Sequence, residues 1–366
     1  MAERTSDPRD PPPPTPRRAP TMADVARRAG VSAMTVSRAL KGKGAVTPQT
    51  QARILQAVSD LGYVLDKSAG ALSSKKTGFV SVLIPSLNNS NFSDTVQGIT
   101  EVLDTEAMQV LVGTTGYSRA REEAVIETML QRRPEGIIVT GGTHTPRGRT
   151  MLEQAGIPVI ETWDLPAAPI DHVVGFSNAA TIEDLMARLM FRGYRRVAFI
   201  EGEHGEDTRG HDRRAGYERA VAALGLERAC VISVGRPPIT IEHGGGAVVR
   251  LLDTWPEVEA VICVSDLSAF GAIMECHRRG WAVPGRLAIA GFGDFEIARH
   301  AWPSITTVSV GSRDLGRQAG TLMLEAIAAM RAGAPLPPRH INIPHTVIER
   351  DSTASRPRPA VTGRVA

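Results

Sequence analysis

The fold this sequence predicts is α/β: a small three-helix module at the N-terminus, then a larger region of parallel sheets split into two subdomains. Three observations carry that prediction. Residues 21–62 show three short apolar helical faces separated by cap residues and glycines. From Phe79 onward, short Val- and Ile-rich runs alternate with helical stretches, as parallel strands joined by crossover helices do. About nine such runs exceed one ordinary sheet, so two subdomains with a cleft between them are expected.

The 366 residues are 42% hydrophobic but only 4% aromatic, so a real core must rest on aliphatic and alanine packing. Cys230, Cys263 and Cys276 are odd in number, widely spaced and without a C-x-x-C pattern. That argues against a disulfide scaffold or a zinc ribbon and fits a reducing cytoplasm. No apolar run approaches the roughly 18 residues of a membrane span. The proline- and charge-rich residues 1–20 lack the apolar stretch of a secretory signal and are expected to be a disordered tail, as are residues 352–366.

Charge is unevenly distributed. Residues 1–78 hold 13 Lys/Arg against 6 Asp/Glu, and the remainder 29 against 33. A basic N-terminal segment on an acidic body points to a polyanionic partner for the former.

The ordered chain opens at Thr21 with a hydroxyl at the N-cap and Asp24 three residues on, a capping-box pattern. Met22, Val25, Ala26 and Ala29 then share one helical face, and Gly30 is placed to end the helix in a left-handed conformation. Ser32 can cap a second helix, from Ala33 to about Leu40, which makes residues 21–40 a helix-turn-helix candidate. A third helix is signalled by Thr47 and Pro48, carries Ile54, Ala57, Val58 and Leu61, and stops at Gly62. Val36 and Leu40 face the other helices, leaving Ala33, Met34, Thr35, Ser37 and Arg38 outward. That face lacks the Glu and Lys of an ordinary solvated helix. Short hydroxyls and one Arg near a helix N-terminus suit phosphates and base edges.

These residues resemble a known family. "TMADVARRAGVSAMTVSRAL", followed by "VTPQTQARILQAVSDLGYV", is similar to the DNA-binding headpiece of the LacI/GalR transcriptional regulators. The resemblance implies that Ala33 and Met34 discriminate operators while Thr35, Ser37 and Arg38 carry backbone and base contacts. Residues 21–65 would be the headpiece and residues 66–78 a hinge that orders on DNA, with Leu72 wedged into the central base step. Leu65 and Asp66 replace the family's usual Pro-Asn, and Gly70 weakens the hinge helix by about 1 kcal/mol relative to alanine. The same thirteen residues also read as a flexible linker.

Within residues 79–351, "RRPEGIIVTG", "DRRAGYERAVAALGL" and "AVICVSDLSAFGAI" resemble the family's effector-binding core, which has the periplasmic-binding-protein fold. "TWDLPAAPIDHVVGFSN" and "GFGDFEIARHAWPSITTV" look most like the gluconate-type branch. The resemblance assigns Arg213 as the effector arginine, though it also reads as an exposed residue of a charged loop over 201–214. Ser265 would contact ligand, with Asp266 as a ligand or a helix cap. Trp163 or Asp164 would line the pocket, the tryptophan as a sugar platform or as packing, and Asn91 and Phe92 would line the opposite wall. Where many relatives carry a hydroxyl-binding aspartate after the last strand, Gly293 stands here with Asp294 beside it.

No phosphate-binding loop, zinc-protease helix or nucleophile elbow is present, and His204, His211 and His243 do not form a metal spacing. The expected function is therefore a regulator of transcription, not an enzyme and without cofactor or metal. It would act as a homodimeric repressor on a palindromic operator, controlled by a sugar or sugar acid such as gluconate. The alternative is a cytoplasmic sugar-binding protein that regulates no gene.

Overall fold

The computed structural model describes residues 18–40, 46–65, 76–203 and 208–354. The expected N-terminal tail up to residue 17, the hinge residues 66–75 with Leu72, His204 and residues 355–366 lie outside them. Two compact units divide between Lys75 and Lys76.

The first unit holds α1 (Met22–Ala29), α2 (Ala33–Leu40) and α3 (Pro48–Leu61). Each boundary follows from a local cap. Thr21 and Asp24 form the reciprocal capping box on α1, and Gly30 closes it at φ 65°. The Ser32 hydroxyl accepts from the Thr35 amide at 3.2 Å at the start of α2. Thr47 caps α3 ahead of Pro48, and Gly62 ends it at φ 61°. Val25, Ala26, Ala29, Val36, Ile54 and Ala57 form the core, with Leu40, Val58 and Leu61 packed against it. An Arg28–Asp60 pair at 3.0 Å ties α1 to α3.

The second unit contains β1 (Phe79–Ile84), α4 (Ser90–Leu103), β2 (Gln109–Thr114), α5 (Arg119–Gln131), β3 (Ile137–Thr140), α6 (Pro146–Glu153), β4 (Val159–Thr162) and β5 (His172–Gly175). It continues through α7 (Asn178–Phe191), β6 (Val197–Glu201), α8 (Thr208–Ala223), β7 (Val231–Ser233), α9 (Ile241–Thr254), β8 (Ala260–Cys263), α10 (Asp266–Arg278), β9 (Ala288–Ala290) and α11 (Glu296–His300). Last come β10 (Thr307–Ser309), α12 (Ser312–Arg331), β11 (His340–Asn342) and β12 (Thr346–Ile348).

One parallel sheet runs β11-β5-β4-β3-β1-β2 and a second runs β7-β6-β8-β9, with β10 and β12 paired antiparallel beside them. All nine strand runs expected from the sequence are present. The three additional strands, β10, β11 and β12, have three residues each and are not among those expected from the sequence. The chain passes between the two halves three times. It crosses between β5 and α7, which packs on α8; between β10 and α12, which packs on α4; and between β11 and β12.

The core runs past the expected boundary at residue 351. Ser352 and Thr353 are buried, because the Ser352 hydroxyl donates to the Ile289 carbonyl at 2.6 Å and accepts from the Thr306 amide at 2.9 Å. The alternative reading of Arg213, as an exposed residue of a charged loop over 201–214, does not hold: residues 208–214 are the first two turns of α8, so Arg213 stands on a helix. Gly244, Gly245 and Gly246 lie in the first turns of α9, and Gly244 serves close helix packing, since a side chain there would meet the Ser268 carbonyl at 1.9 Å.

Candidate functional site

In the first unit, α2 divides its residues sharply. Val36 is fully buried, whereas Met34 is 64% exposed, and Ala33 and Arg38 are exposed as well. Thr35 and Ser37 are half-buried. The five residues expected to meet DNA thus share the outward side of one short helix, and no carboxylate lies in its first turn. An amide-rich, acid-free helix start favours anionic partners.

In the second unit, a cleft of about 720 Å³ opens where the strands of both sheets end. Each wall is made of residues that follow a strand's carboxyl end, as ligand sites of open α/β sheets are. Asn91 and Phe92 follow β1 at the start of α4, Tyr117 follows β2 and Trp163 follows β4. On the other side Glu201 ends β6, Val264 and Ser265 follow β8, and Phe292 follows β9.

Arg213 reaches this cleft from α8. Its Nε donates to Asn178 Oδ1 at 3.0 Å and its Nη1 to the Val264 carbonyl at 3.2 Å. The guanidinium carbon lies 3.7 Å from the Phe292 ring centroid. Stacking and two hydrogen bonds fix the plane of the fork, so less rotamer freedom is lost when a ligand arrives.

Trp163 forms part of the floor with its backbone in the left-handed region, φ 69°. It is 2% exposed, its Nε1 donates to Thr95 Oγ1 at 3.2 Å, and its ring meets Phe92 and Phe176 edge-on at 5.0 and 5.6 Å. Packing thus accounts for most of this side chain, and only a sliver faces the cavity. Asn91 accepts from the Ser312 hydroxyl at 2.9 Å. Ser265 lines the cleft while its hydroxyl also caps α10.

Three expected residues fall outside the lining. Asp266 is fully buried: its Oδ1 accepts from Thr307 at 2.6 Å and its Oδ2 from the Phe295 amide at 2.8 Å. Burial pushes its pKa up to about 7 despite those bonds. It pins the loop after β9 to β10 and does not face a ligand. Asp294 pairs with Arg299 at 2.9 Å and with Arg350 at 2.5 Å, beneath the surface. Asp164 turns onto its own chain, accepting from the Leu165 amide at 2.8 Å. Burial holds its pKa above the usual carboxylate range, and the charge of Asp212 adds to the effect.

The sequence reading missed Arg209, Tyr117 and Phe292. Arg209 is buried with its guanidinium carbon 5.3 Å from the Phe92 centroid and 6.0 Å from that of Tyr117. It stands four residues before Arg213, on the same face of α8, so reading residues 208–223 as helical would have found it. Tyr117 and Phe292 were signalled by their places just beyond strand ends. Of the histidines, His211 lines the cleft and His243 caps α9 through Thr240. Among the described residues no helix is long and apolar enough to cross a membrane.

The comparisons with known proteins place both units in known families. Residues 21–66 match the family described as bacterial regulatory proteins, lacI family, and residues 186–353 match the periplasmic binding protein-like domain. The chain is 34% identical to the HTH-type transcriptional regulator GntR of Pseudomonas aeruginosa, over 91% of this chain and 96% of that one. A solved LacI-family transcriptional regulator from Silicibacter pomeroyi is 31% identical, covers 91% of this chain and 99% of its own, and superposes with a TM-score of 0.84. A complex of the transcriptional regulator CelR with cellobiose is 26% identical, covers 91% and 99%, and gives a TM-score of 0.65.

Proposed function

This chain belongs to the LacI family of bacterial regulatory proteins and is a DNA-binding transcriptional regulator, and from that premise we propose that it is a cytoplasmic repressor whose hold on DNA is set by a sugar or sugar acid in the core cleft. The observation that carries the effector half is Arg213, locked in place by Asn178, the Val264 carbonyl and the Phe292 ring at the cleft wall. A guanidinium held in that way suits a carboxylate or a pair of hydroxyls. The aromatic lining from Phe92, Tyr117 and Phe292 suits the apolar faces of a sugar. That CelR binds cellobiose supports a polyhydroxylated ligand.

On the DNA side, Ala33, Met34, Thr35, Ser37 and Arg38 would enter the major groove, with two copies of the chain reading the halves of a palindrome. Met34 and Ala33 offer apolar contact, suited to a thymine methyl. Leu72, outside the described residues, would wedge the central step. The ligand must bind one arrangement of the two halves of the core better than the other, since equal affinity would shift nothing. The chain acts in this account by binding alone.

The test is fluorescence-anisotropy titration of the full chain against the DNA upstream of its own gene, with and without D-gluconate and related sugar acids. Nanomolar-range binding that one of these acids shifts supports the proposal. Binding that no sugar or sugar acid alters argues against the assigned ligand class.

A further inference from the structure

A buried chain of hydrogen bonds leads from the cleft arginine to two of the three crossovers. Asn178 stands at the first crossover, as the first residue of α7, and is 2% exposed. Its side-chain amide is used at both ends. Oδ1 accepts from Arg213 Nε at 3.0 Å, and Nδ2 donates to the Trp163 carbonyl at 2.9 Å. Trp163 Nε1 donates to Thr95 Oγ1 at 3.2 Å. The Thr95 hydroxyl lies 3.1 Å from the Ser312 carbonyl and 2.9 Å from the Asn91 carbonyl, to which it donates. Ser312 opens α12 at the second crossover, behind Gly311 at φ 57°. Its own hydroxyl returns to Asn91 Oδ1 at 2.9 Å, at the cleft.

Every member of this path after Arg213 is buried, so a hydrogen bond broken along it is poorly compensated by solvent. The path also runs through a strained residue, since Trp163 holds a left-handed backbone that bulky side chains avoid. The Asn178 amide supplies both the acceptor for Arg213 and the donor for the Trp163 carbonyl, so the positions of Arg213 and of the Trp163 backbone are joined through one side chain.

We propose that Asn178 is the positioning residue that transmits the state of Arg213 to the crossovers, through Trp163 and Thr95 to Ser312. This rests on Arg213 facing the ligand, as in the function proposed above, and adds how its occupancy reaches the crossovers that join the two halves.

Hydrogen–deuterium exchange on the full chain without ligand tests the path, in wild type, Arg213→Met, Asn178→Ala, Asn178→Asp and the corresponding double variants. Arg213→Met is expected to speed exchange of the amides at 310–316 by about threefold or more, as a locally loosened segment does, and to add nothing in either Asn178 background. Asn178→Asp keeps the acceptor for Arg213 but loses the donor to Trp163, so it is expected to behave like Asn178→Ala. It carries the comparison alone if the alanine variant does not fold. Unchanged exchange at 310–316 in Arg213→Met overturns the proposal, as does an equal rise in all backgrounds or a wild-type profile for Asn178→Asp. A parallel titration of wild type with D-gluconate judges the ligand class separately: no binding would count against a sugar acid and leave the exchange result standing.

Discussion

The guanidinium carbon of Arg213 lies over the Phe292 ring, 3.7 Å from its centroid, with one residue borne on α8 and the other just beyond β9. The contact explains why an arginine on a helix rich in charge points into the cleft and not into solvent. Arg213→Met keeps the stem but removes the stack, the fork and two hydrogen bonds. It should weaken a sugar-acid ligand by tenfold or more, about 1.4 kcal/mol or above, and abolish the ligand's effect on DNA binding. Isothermal calorimetry alongside DNA titration checks this, and an unaltered ligand response would remove Arg213 from the site.

Met34 is the most exposed large apolar residue of the headpiece helices α1–α3, and its neighbour Val36 is sealed in the core. Met34→Ala should therefore leave the fold stable and change which half-site is preferred. The preference between half-sites should shift by up to about 1–3 kcal/mol, the cost of one mismatched base pair, while nonspecific binding should hardly move. Competition between specific and nonspecific duplexes measures the ratio; equal weakening of both would contradict the role assigned to Met34.

His144 is buried between Glu122, at 3.0 Å from Nδ1, and Glu161, at 3.4 Å from Nε2. Burial opposes its charge, but the two glutamates outweigh burial and lift its pKa to about 9. A histidine pKa raised on folding stabilises fully below its unfolded value near 6.5, and the contribution fades as pH climbs through 9. Core stability should thus fall by about 3 kcal/mol between pH 6.5 and 9.5 on this account, and His144→Gln should lose that slope. Urea unfolding across this range decides it, and a slope kept in the variant would assign the pH dependence elsewhere.

Helices α4 and α12 cross at two glycines. A side chain on Gly98 would meet the Arg313 carbonyl at 2.1 Å, and one on Gly316 the Thr95 carbonyl at 2.1 Å. Gly316→Ala should destabilise the core by about 1–3 kcal/mol through overpacking. Because the displaced carbonyl belongs to Thr95, it should also speed exchange around Trp163. A neutral thermal shift would show that the helices separate without strain.

Much of this molecule is legible in its sequence because the signals are local. Thr21, Ser32 and Thr47 each cap the helix their position announces, and Gly30 and Gly62 end theirs as expected. Val- and Ile-rich strands stand out for the same reason, since their burial on both faces leaves an unbroken apolar run. What escapes is non-local. Asp266 looks like a ligand by its place after β8, yet Thr307 and Phe295, 41 and 29 residues away, occupy its oxygens. Arg350, distant in sequence, claims Asp294 in the same way. Arg209 is hidden inside a polar stretch whose helical character comes from packing, since it carries Gly210 and Gly216 and no clear apolar stripe.

The most direct test of the whole account is selection of bound duplexes from a random pool by the full chain, with and without a mixture of sugar acids. The account predicts enrichment of a two-fold symmetric site, half-sites about one helical turn apart, with the degree of enrichment changed by the acids. A pool that stays random in both arms would contradict the assignment of the Ala33–Arg38 face to DNA.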